Sequence, residues 1–441
     1  MARLAKLKTK GWWLPLTILV ATALAGAFMP SATVPAKPGG PLVPGDVAWM
    51  LTATGLVLLM TPGLSFFYGG MVRRKNMIST LLQSYICMGV MSLLWVVVGF
   101  SLAFGDSLGG FIGNPLTFLM FRGVGSSTHV DLSPTIPLAL FALFQLKFAI
   151  ITPALITGAF AERVRFSAYL LFIVLFSLFI YSPLAHWTWH PQGFLRQWGV
   201  LDFAGGSVVH MSAGFAALAG ALLLGRRQTH HQGLQHDPSN IPFVLLGTGM
   251  LWFGWFGFNA GSALAANDVA VTAFLTTNTA SAAAMMAWVL FDAVRGRKPS
   301  ALGASVGAVV GLVAITPAAG FVSVGASLFI GTAAAIISNL VVHWKSRSTL
   351  DDTLDVFPCH GVGGITGMIL TAVFANQVGL VHGESRTLLL HLLALVIVAA
   401  YTFVGSWVLF KIVDRLIPLR VTAKEEETGL DLTQHNERFE G

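Results

Sequence analysis

Apolar runs long enough to cross about 30 Å of hydrocarbon recur from residue 45 to residue 413, separated by short polar breaks. That recurrence points to one fold class, an all-α polytopic membrane protein. The spans read as 45–68, 78–104, 135–160, 167–187, 204–224, 242–261, 271–293, 301–317, 324–344, 356–375 and 387–413, about eleven transmembrane helices surrounded by membrane lipid. Composition agrees: of 441 residues, 55% are hydrophobic and 10% charged, with a mean hydropathy of +0.75, far from a soluble globular balance.

Basic residues favour cytoplasmic loops. Alternate loops carry Arg73, Arg74 and Lys75; Arg163 and Arg165; Arg226 and Arg227; Arg295, Arg297 and Lys298; then Lys345 and Arg347, against Arg122, Arg196 and Arg386 on the other side. This bias puts the start of the first span outside and the tail, 418–441, in the cytoplasm of a cell bounded by this inner (plasma) membrane. The net charge of +7 then reflects topology, and nucleic acid is not an expected partner. Residues 1–36 combine a basic opening (Arg3, Lys6, Lys8, Lys10), an apolar run from Trp12 to Met29, and small-residue cleavage positions at Ser31-Ala32 and Val34-Pro35-Ala36. They read as a cleaved signal peptide in preference to a twelfth helix, because removal suits an outside start. Residues 37–44 follow as an external leader. Cys87 and Cys359 fall inside spans and read as inert buried thiols.

The chain divides into two five-helix blocks, 45–224 and 242–375, and an eleventh helix, 387–417. An odd number of helices per block makes the two repeats inverted, which brings matching elements together near the midplane. His210 lies in the fifth span and His360 in the tenth. Ionisable groups at that depth are costly and usually line a substrate or proton route, so this pair is the candidate functional site. An acid precedes each, Asp202 by eight residues and Asp355 by five, which makes the sequence symmetry weak. Gly205, Gly206 and Gly214 in one stretch, and Gly361, Gly363, Gly364 and Gly367 in the other, allow helices to approach closely. Besides the histidines, almost the only polar side chains there are Ser207, Ser212 and Thr366. The pore they imply is narrow and suits a small, nearly neutral solute.

Aromatic residues gather at one end of these spans: Trp189 in HWTWHPQG, and the run from Trp252 to Ser262. A single tryptophan fits the interfacial belt. Ring faces can also hold a cation in a partly desolvated site, for roughly 0.5–2 kcal/mol per ring, and the Ser262 hydroxyl could accept a hydrogen bond from it. A metalloenzyme fits poorly, since zinc needs a third protein ligand and no HExxH or comparable cluster stands near either histidine. His230, His231 and His236 read as solvated loop residues, and His186 and His190 as interfacial ones. No catalytic residue, metal or cofactor is expected.

The stretches FQLKFAIITPALITGAFAERVRF (144–166), LDFAGGSVVHMSAG (201–214), GWFGFNAGS (254–262), ITPAAG (315–320) and DVFPCHGVGGITG (355–367) resemble the ammonium transporter family, the Amt branch of the Amt/Rh superfamily. The resemblance implies a homotrimer of eleven-helix subunits, each with its own pore. It also implies an external ammonium site at Phe148, Trp189 and Ser262, a stacked gate of Phe148 and Phe258, and twin pore histidines His210 and His360. Asp202 would be the structural or recruiting acid, with a part in proton transfer, and Thr316 and Trp255 would stand beside the pathway. Ammonium would be recruited outside, deprotonated, and conducted as ammonia with separate proton transfer. The tail LRVTAKEEETGLDLTQHNERFEG resembles the family's cytoplasmic tail, to which PII-type signal proteins dock, and reads as charged and mobile. An ammonium sensor signalling through that tail is the alternative reading. Lys147 departs from the pattern, which calls for an uncharged residue; on a helix it points about 100° away from Phe148.

Overall fold

The computed structural model describes residues 2–28, 37–233 and 238–439. Among them ten helices are long and apolar enough to cross a membrane: Pro44–Met71, Arg74–Phe104, Leu138–Phe160, Phe166–Trp198, Gly206–Leu224, Ile241–Gly261, Asp268–Val294, Val324–Ser346, Phe357–Phe374 and Ser385–Leu416. The expected span 301–317 is a 15-residue helix, Ala301–Ile315. At about 1.5 Å per residue it is too short to cross the hydrocarbon unaided. It ends just before Pro317, which has no backbone N–H to continue the ladder. Ahead of the bundle lies the helix Ala2–Phe28, whose apolar part, Trp12–Phe28, is shorter than a span and exposes Trp12, Trp13 and Leu14. The cleavage positions Ser31-Ala32 and Val34-Pro35-Ala36, and His236, lie outside the described residues.

The most extensive helix pair is Pro44–Met71 with Ile241–Gly261. Small residues permit it: a Cβ on Gly247 would come within 2.3 Å of the Phe67 backbone nitrogen. A second close approach occurs between the histidine helices, where a Cβ on Gly214 would meet the Gly361 Cα at 2.3 Å.

Those two helices begin in the same way. A helix start leaves backbone N–H groups without partners, and here buried carboxylates take them. Asp202 accepts from the N–H groups of Gly205 (2.8 Å), Gly206 (2.7 Å) and Ser207 (2.7 Å) and from the Ser207 hydroxyl (2.5 Å). Asp352 accepts from the N–H groups of Val356 (3.1 Å) and Phe357 (2.7 Å). Three residues after each aspartate the backbone turns left-handed, at Gly205 (φ 120°) and Asp355 (φ 58°). Single π-helical stretches follow, Gly206–Met211 and Phe357–Val362, and these carry His210 and His360. Each histidine thus stands eight residues after its cap. Sequence order alone matches Asp202 with Asp355; the structure gives that place to Asp352. Asp355 occupies the bend and pairs with Lys345 at 2.7 Å.

At the other end of the bundle from Asp202, buried ion pairs join the loops. Arg227 bridges Glu162 and Asp351, each at 2.9 Å. Arg163 donates to Thr353 Oγ1 at 2.7 Å and to the Ala159 carbonyl at 3.2 Å. Burial pushes the Asp352 carboxyl up to about 6, with Lys345 opposing and Asp355 adding to the rise.

The tail packs onto this same face, contrary to its expected mobility. Its backbone pairs with the loop after Leu138–Phe160 through Arg165 N–H to Leu419 C=O (2.8 Å) and Val421 N–H to Arg163 C=O (3.0 Å). Thr422 and Glu425 form a capping box, and Arg420 pairs with Glu426 at 2.7 Å. Asp431 accepts from the N–H groups of Ile78 (3.0 Å) and Ser79 (2.8 Å), so a tail residue caps the start of the helix that follows Asn76. His435 Nε2 lies 3.1 Å from Ser79 Oγ, with its ring edge-on to Phe166. Composition hid this docking, because the partners of Asp431 and His435 lie more than 350 residues away in sequence.

Burial lowers the His435 ring below its ordinary 6.5, with Glu437 opposing. The docked tail therefore favours the neutral ring. Its contribution is complete above the free-ring value and is lost as pH falls through and below it. Hydrogen exchange of residues 419–439 should consequently be faster at pH 5.5 than at pH 7.5 after correction for intrinsic rates, and His435→Gln should remove most of the difference. An unchanged difference in that variant would contradict the assignment.

Candidate functional site

A cavity of about 370 Å³ opens on the face opposite the docked tail, and Phe148, Trp189, Asp202 and Ser262 all line it. Four different helices or loops supply these residues. Trp189 is held by its indole N–H, which donates to the Asp202 carbonyl at 3.2 Å, so the ring and the cap of the His210 helix are one construction. The Ser262 hydroxyl donates to the Phe258 carbonyl at 2.8 Å. With its hydrogen committed, that oxygen turns lone pairs toward the cavity as an acceptor. A cation meeting this wall finds ring faces and an acceptor oxygen together, which is the chemistry that binds ammonium-type groups.

Aromatic rings continue inward from the cavity wall. Phe148 and Phe258 lie 4.3 Å apart between ring centroids, and Trp189 meets Phe148 edge-on at 5.5 Å. Both phenylalanines are buried, so their rings separate the cavity from the side chains beneath it. Below them the rings continue: Phe258 and Trp255 each stack beside His210, with centroids at 6.1 and 5.3 Å. Trp255 is fixed by its N–H, which donates to Thr316 Oγ1 at 2.9 Å, while that hydroxyl donates to Leu312 C=O at 2.8 Å.

His210 and His360 face each other through their Nδ1 atoms at 3.3 Å, with the rings 25° from parallel. When both rings are neutral, one Nδ1 donates and the other accepts, so a single hydrogen serves the contact. His210 Nε2 is buried and has no protein partner among the described residues. The pair thus presents hydrogen-bond donor and acceptor positions within an otherwise apolar surround.

The sequence pattern that defines the Ammonium Transporter Family matches residues 48–439. The chain belongs to the ammonium transporter family. It is 45% identical over 406 residues to the ammonium transporter of Bacillus subtilis, covering 89% of this chain and 98% of that protein. With the ammonium transporter Amt1 of Archaeoglobus fulgidus it shares 44% identity over 398 residues, again 89% of this chain and 98% of the other. Among solved structures, Candida albicans Mep2 superposes with a TM-score of 0.82 at 34% identity, covering 87% of this chain and 88% of Mep2. A structure titled "Sensor Amt Protein" superposes with the same TM-score at 30% identity, covering 89% and 98% of the two chains. The chain is thus a multi-pass membrane protein, and its function is ammonium transport.

In this family member the residues singled out from sequence converge: Phe148, Trp189, Ser262 and Asp202 at the cavity, Phe258 packed on Phe148, and His210, His360, Trp255 and Thr316 beneath. Lys147 does not line the cavity and is half-buried, on the same helix side as exposed Leu143 four residues earlier. His186 and His190 stack on each other at 4.3 Å, and His186 meets Ser107 and the Ala103 carbonyl, away from the pore pair. Among the described residues no group of three or more His, Cys, Asp and Glu is placed to hold a metal ion. Sequence reasoning missed Gln145, Thr188, Asp131 and Phe203 in the cavity wall. Gln145 was within reach, because a helix brings it to the same side as Phe148 three residues later. Asp131 was not, since its place depends on a loop.

Asp202 receives four hydrogen bonds, which makes it a helix cap whatever else it does. Asp202→Ala should lower stability by about 0.5–2 kcal/mol, the usual cost of losing a cap, and Asp202→Asn, which keeps one acceptor oxygen, by less. Thermal unfolding of the purified protein checks this; equal losses in both variants would show that the cap matters little.

Proposed function

We propose that the transporter recruits ammonium at Phe148, Trp189 and Ser262, removes its proton, and conducts ammonia past His210 and His360, with the proton moving separately. The contact between the two buried imidazoles, beneath the paired phenylalanines Phe148 and Phe258, carries this reading. An intact cation in a passage so poor in polar groups costs from several to more than about ten kcal/mol. Deprotonated ammonia escapes most of that cost, whereas potassium has no proton to give up. Four donors occupy the lone pairs of Asp202, so in this reading Asp202 orients the site and the imidazole pair exchanges the proton.

The wider architecture belongs to the same proposal. The shared pattern of cap, left-handed residue, π-helical stretch and histidine, together with the pairing of Pro44–Met71 with Ile241–Gly261, supports two inverted five-helix repeats. Ala301–Ile315 would then be the eighth of eleven membrane helices, helped by the Thr316-to-Gly320 turn that continues it. The clustering of Arg73 to Lys75, Arg163, Arg227 and Lys345 on the tail side supports a cytoplasmic tail and an external start, in an inner or plasma membrane after removal of residues 1–36. Trimer formation and docking of a PII-type protein at the tail complete the reading. A sensing role draws support from the packed tail and from the likeness to the sensor Amt protein, and flux in reconstituted vesicles separates it from transport.

Replacing His210 and His360 together with apolar residues should abolish proton-coupled ammonium current in proteoliposomes; full current in that variant would refute proton exchange at the pair. Trp189→Ala and Ser262→Ala should raise the half-saturating ammonium concentration on the order of threefold to tenfold each, by loss of one ring face or one acceptor. Unchanged saturation in both variants would count against the external site.

A further inference from the structure

A third histidine, outside every role given above, is completely buried: His391, in the helix Ser385–Leu416. Both its ring nitrogens are engaged by backbone groups of fixed polarity. Nδ1 lies 2.8 Å from the carbonyl oxygen of Met368, which can only accept, so Nδ1 carries the hydrogen. Nε2 lies 2.9 Å from the backbone N–H of Leu201, which can only donate, so Nε2 is bare. The ring is therefore neutral and locked in one tautomer. An imidazolium would have no acceptor for its second hydrogen and would leave the Leu201 N–H unpaired in the interior.

The two groups it joins belong to the two halves of the site. Met368 lies on Phe357–Phe374, the helix that carries His360. Leu201 directly precedes Asp202, whose carboxylate starts the His210 helix and whose carbonyl holds the Trp189 indole. On the far side of Asp202, the Phe203 N–H donates to Pro317 C=O at 3.1 Å, just after Thr316. The strand of chain bearing the cap is thus pinned at both ends, and His391 is one of the two pins.

We infer that His391 is a positioning residue that holds the Leu201–Asp202 segment, and through it Trp189 and the cavity wall, in register with the twin-histidine pore. It touches no substrate, and it acts through the acceptor that Nε2 provides. This inference rests on the proposed ammonium site at Trp189 and Ser262. A glutamine side chain places an amide near the Nε2 position and restores the acceptor for Leu201, whereas asparagine reaches only the Nδ1 position and restores the donor to Met368.

The test measures ammonium-evoked current against ammonium concentration in proteoliposomes of the full chain, for the unaltered protein, His391→Phe, His391→Gln and His391→Asn, each checked for a monodisperse elution profile. His391→Phe and His391→Asn should raise the half-saturating concentration on the order of tenfold, the scale for an unmade hydrogen bond to a buried group, while the maximal current changes less than twofold or so. His391→Gln should return the half-saturating concentration to within about twofold of the original. Should the phenylalanine variant fail to fold, the contrast between glutamine and asparagine still decides. Equal half-saturating concentrations for glutamine and asparagine, or a fall in maximal current alone, would overturn the inference. A current that never saturates in the unaltered protein would instead overturn the recruitment site on which it rests.

Discussion

Buried carboxylates at the starts of two helices hold the centre of this protein in place. Helices that begin inside a bundle leave N–H groups with no water to meet them, and Asp202 and Asp352 supply the missing acceptors. From each cap the chain makes one left-handed step, one π-helical stretch, and presents a histidine. Small residues at Gly214 and Gly361 then let the two helices come close enough for the imidazoles to meet at 3.3 Å. The placing of both imidazoles therefore starts from polar chemistry at the helix ends.

The same residues connect the histidine pair to both faces. On the cavity side the Asp202 carbonyl fixes Trp189, whose edge meets Phe148, and Phe148 meets Phe258. On the tail side Asp352 sits beside Asp351, which Arg227 ties to Glu162, and the tail strand lies along Arg163 to Arg165. Position in the sequence says nothing of this continuity. It is a property of the packing, in which an apolar interior makes every unpaired donor costly and therefore every partner specific.

Much of this was legible in the amino-acid sequence. Apolar runs placed the spans closely, and His210 and His360 stood out because an ionisable ring in a glycine-rich apolar stretch is too costly to keep unless a path for solute or protons runs past it. The five motifs then led to Phe148, Trp189 and Ser262, which line one cavity, to Phe258, which packs on Phe148, and to Thr316, which holds Trp255. The symmetry of the caps was hidden because three acids, Asp351, Asp352 and Asp355, crowd one short stretch and the nearest to His360 looked the natural match. Backbone geometry resolves it: Asp355 is the bend, and Asp352 reaches the free N–H groups. The tail looked mobile because charge and polarity describe a solvated segment as well as one whose partners are hundreds of residues away. Gln145, Asp131 and His391 were missed for a related reason, since each acquires its meaning only from neighbours brought by other helices or loops.

The central claim is that the solute passes the imidazoles without its charge. Current recorded on a solid-supported membrane bearing proteoliposomes of the unaltered protein, on stepping ammonium and then potassium at equal concentration, tests it most directly. The account predicts a saturating response to ammonium and none to potassium, which is similar in size but has no proton to release. A potassium current comparable to that of ammonium would contradict it.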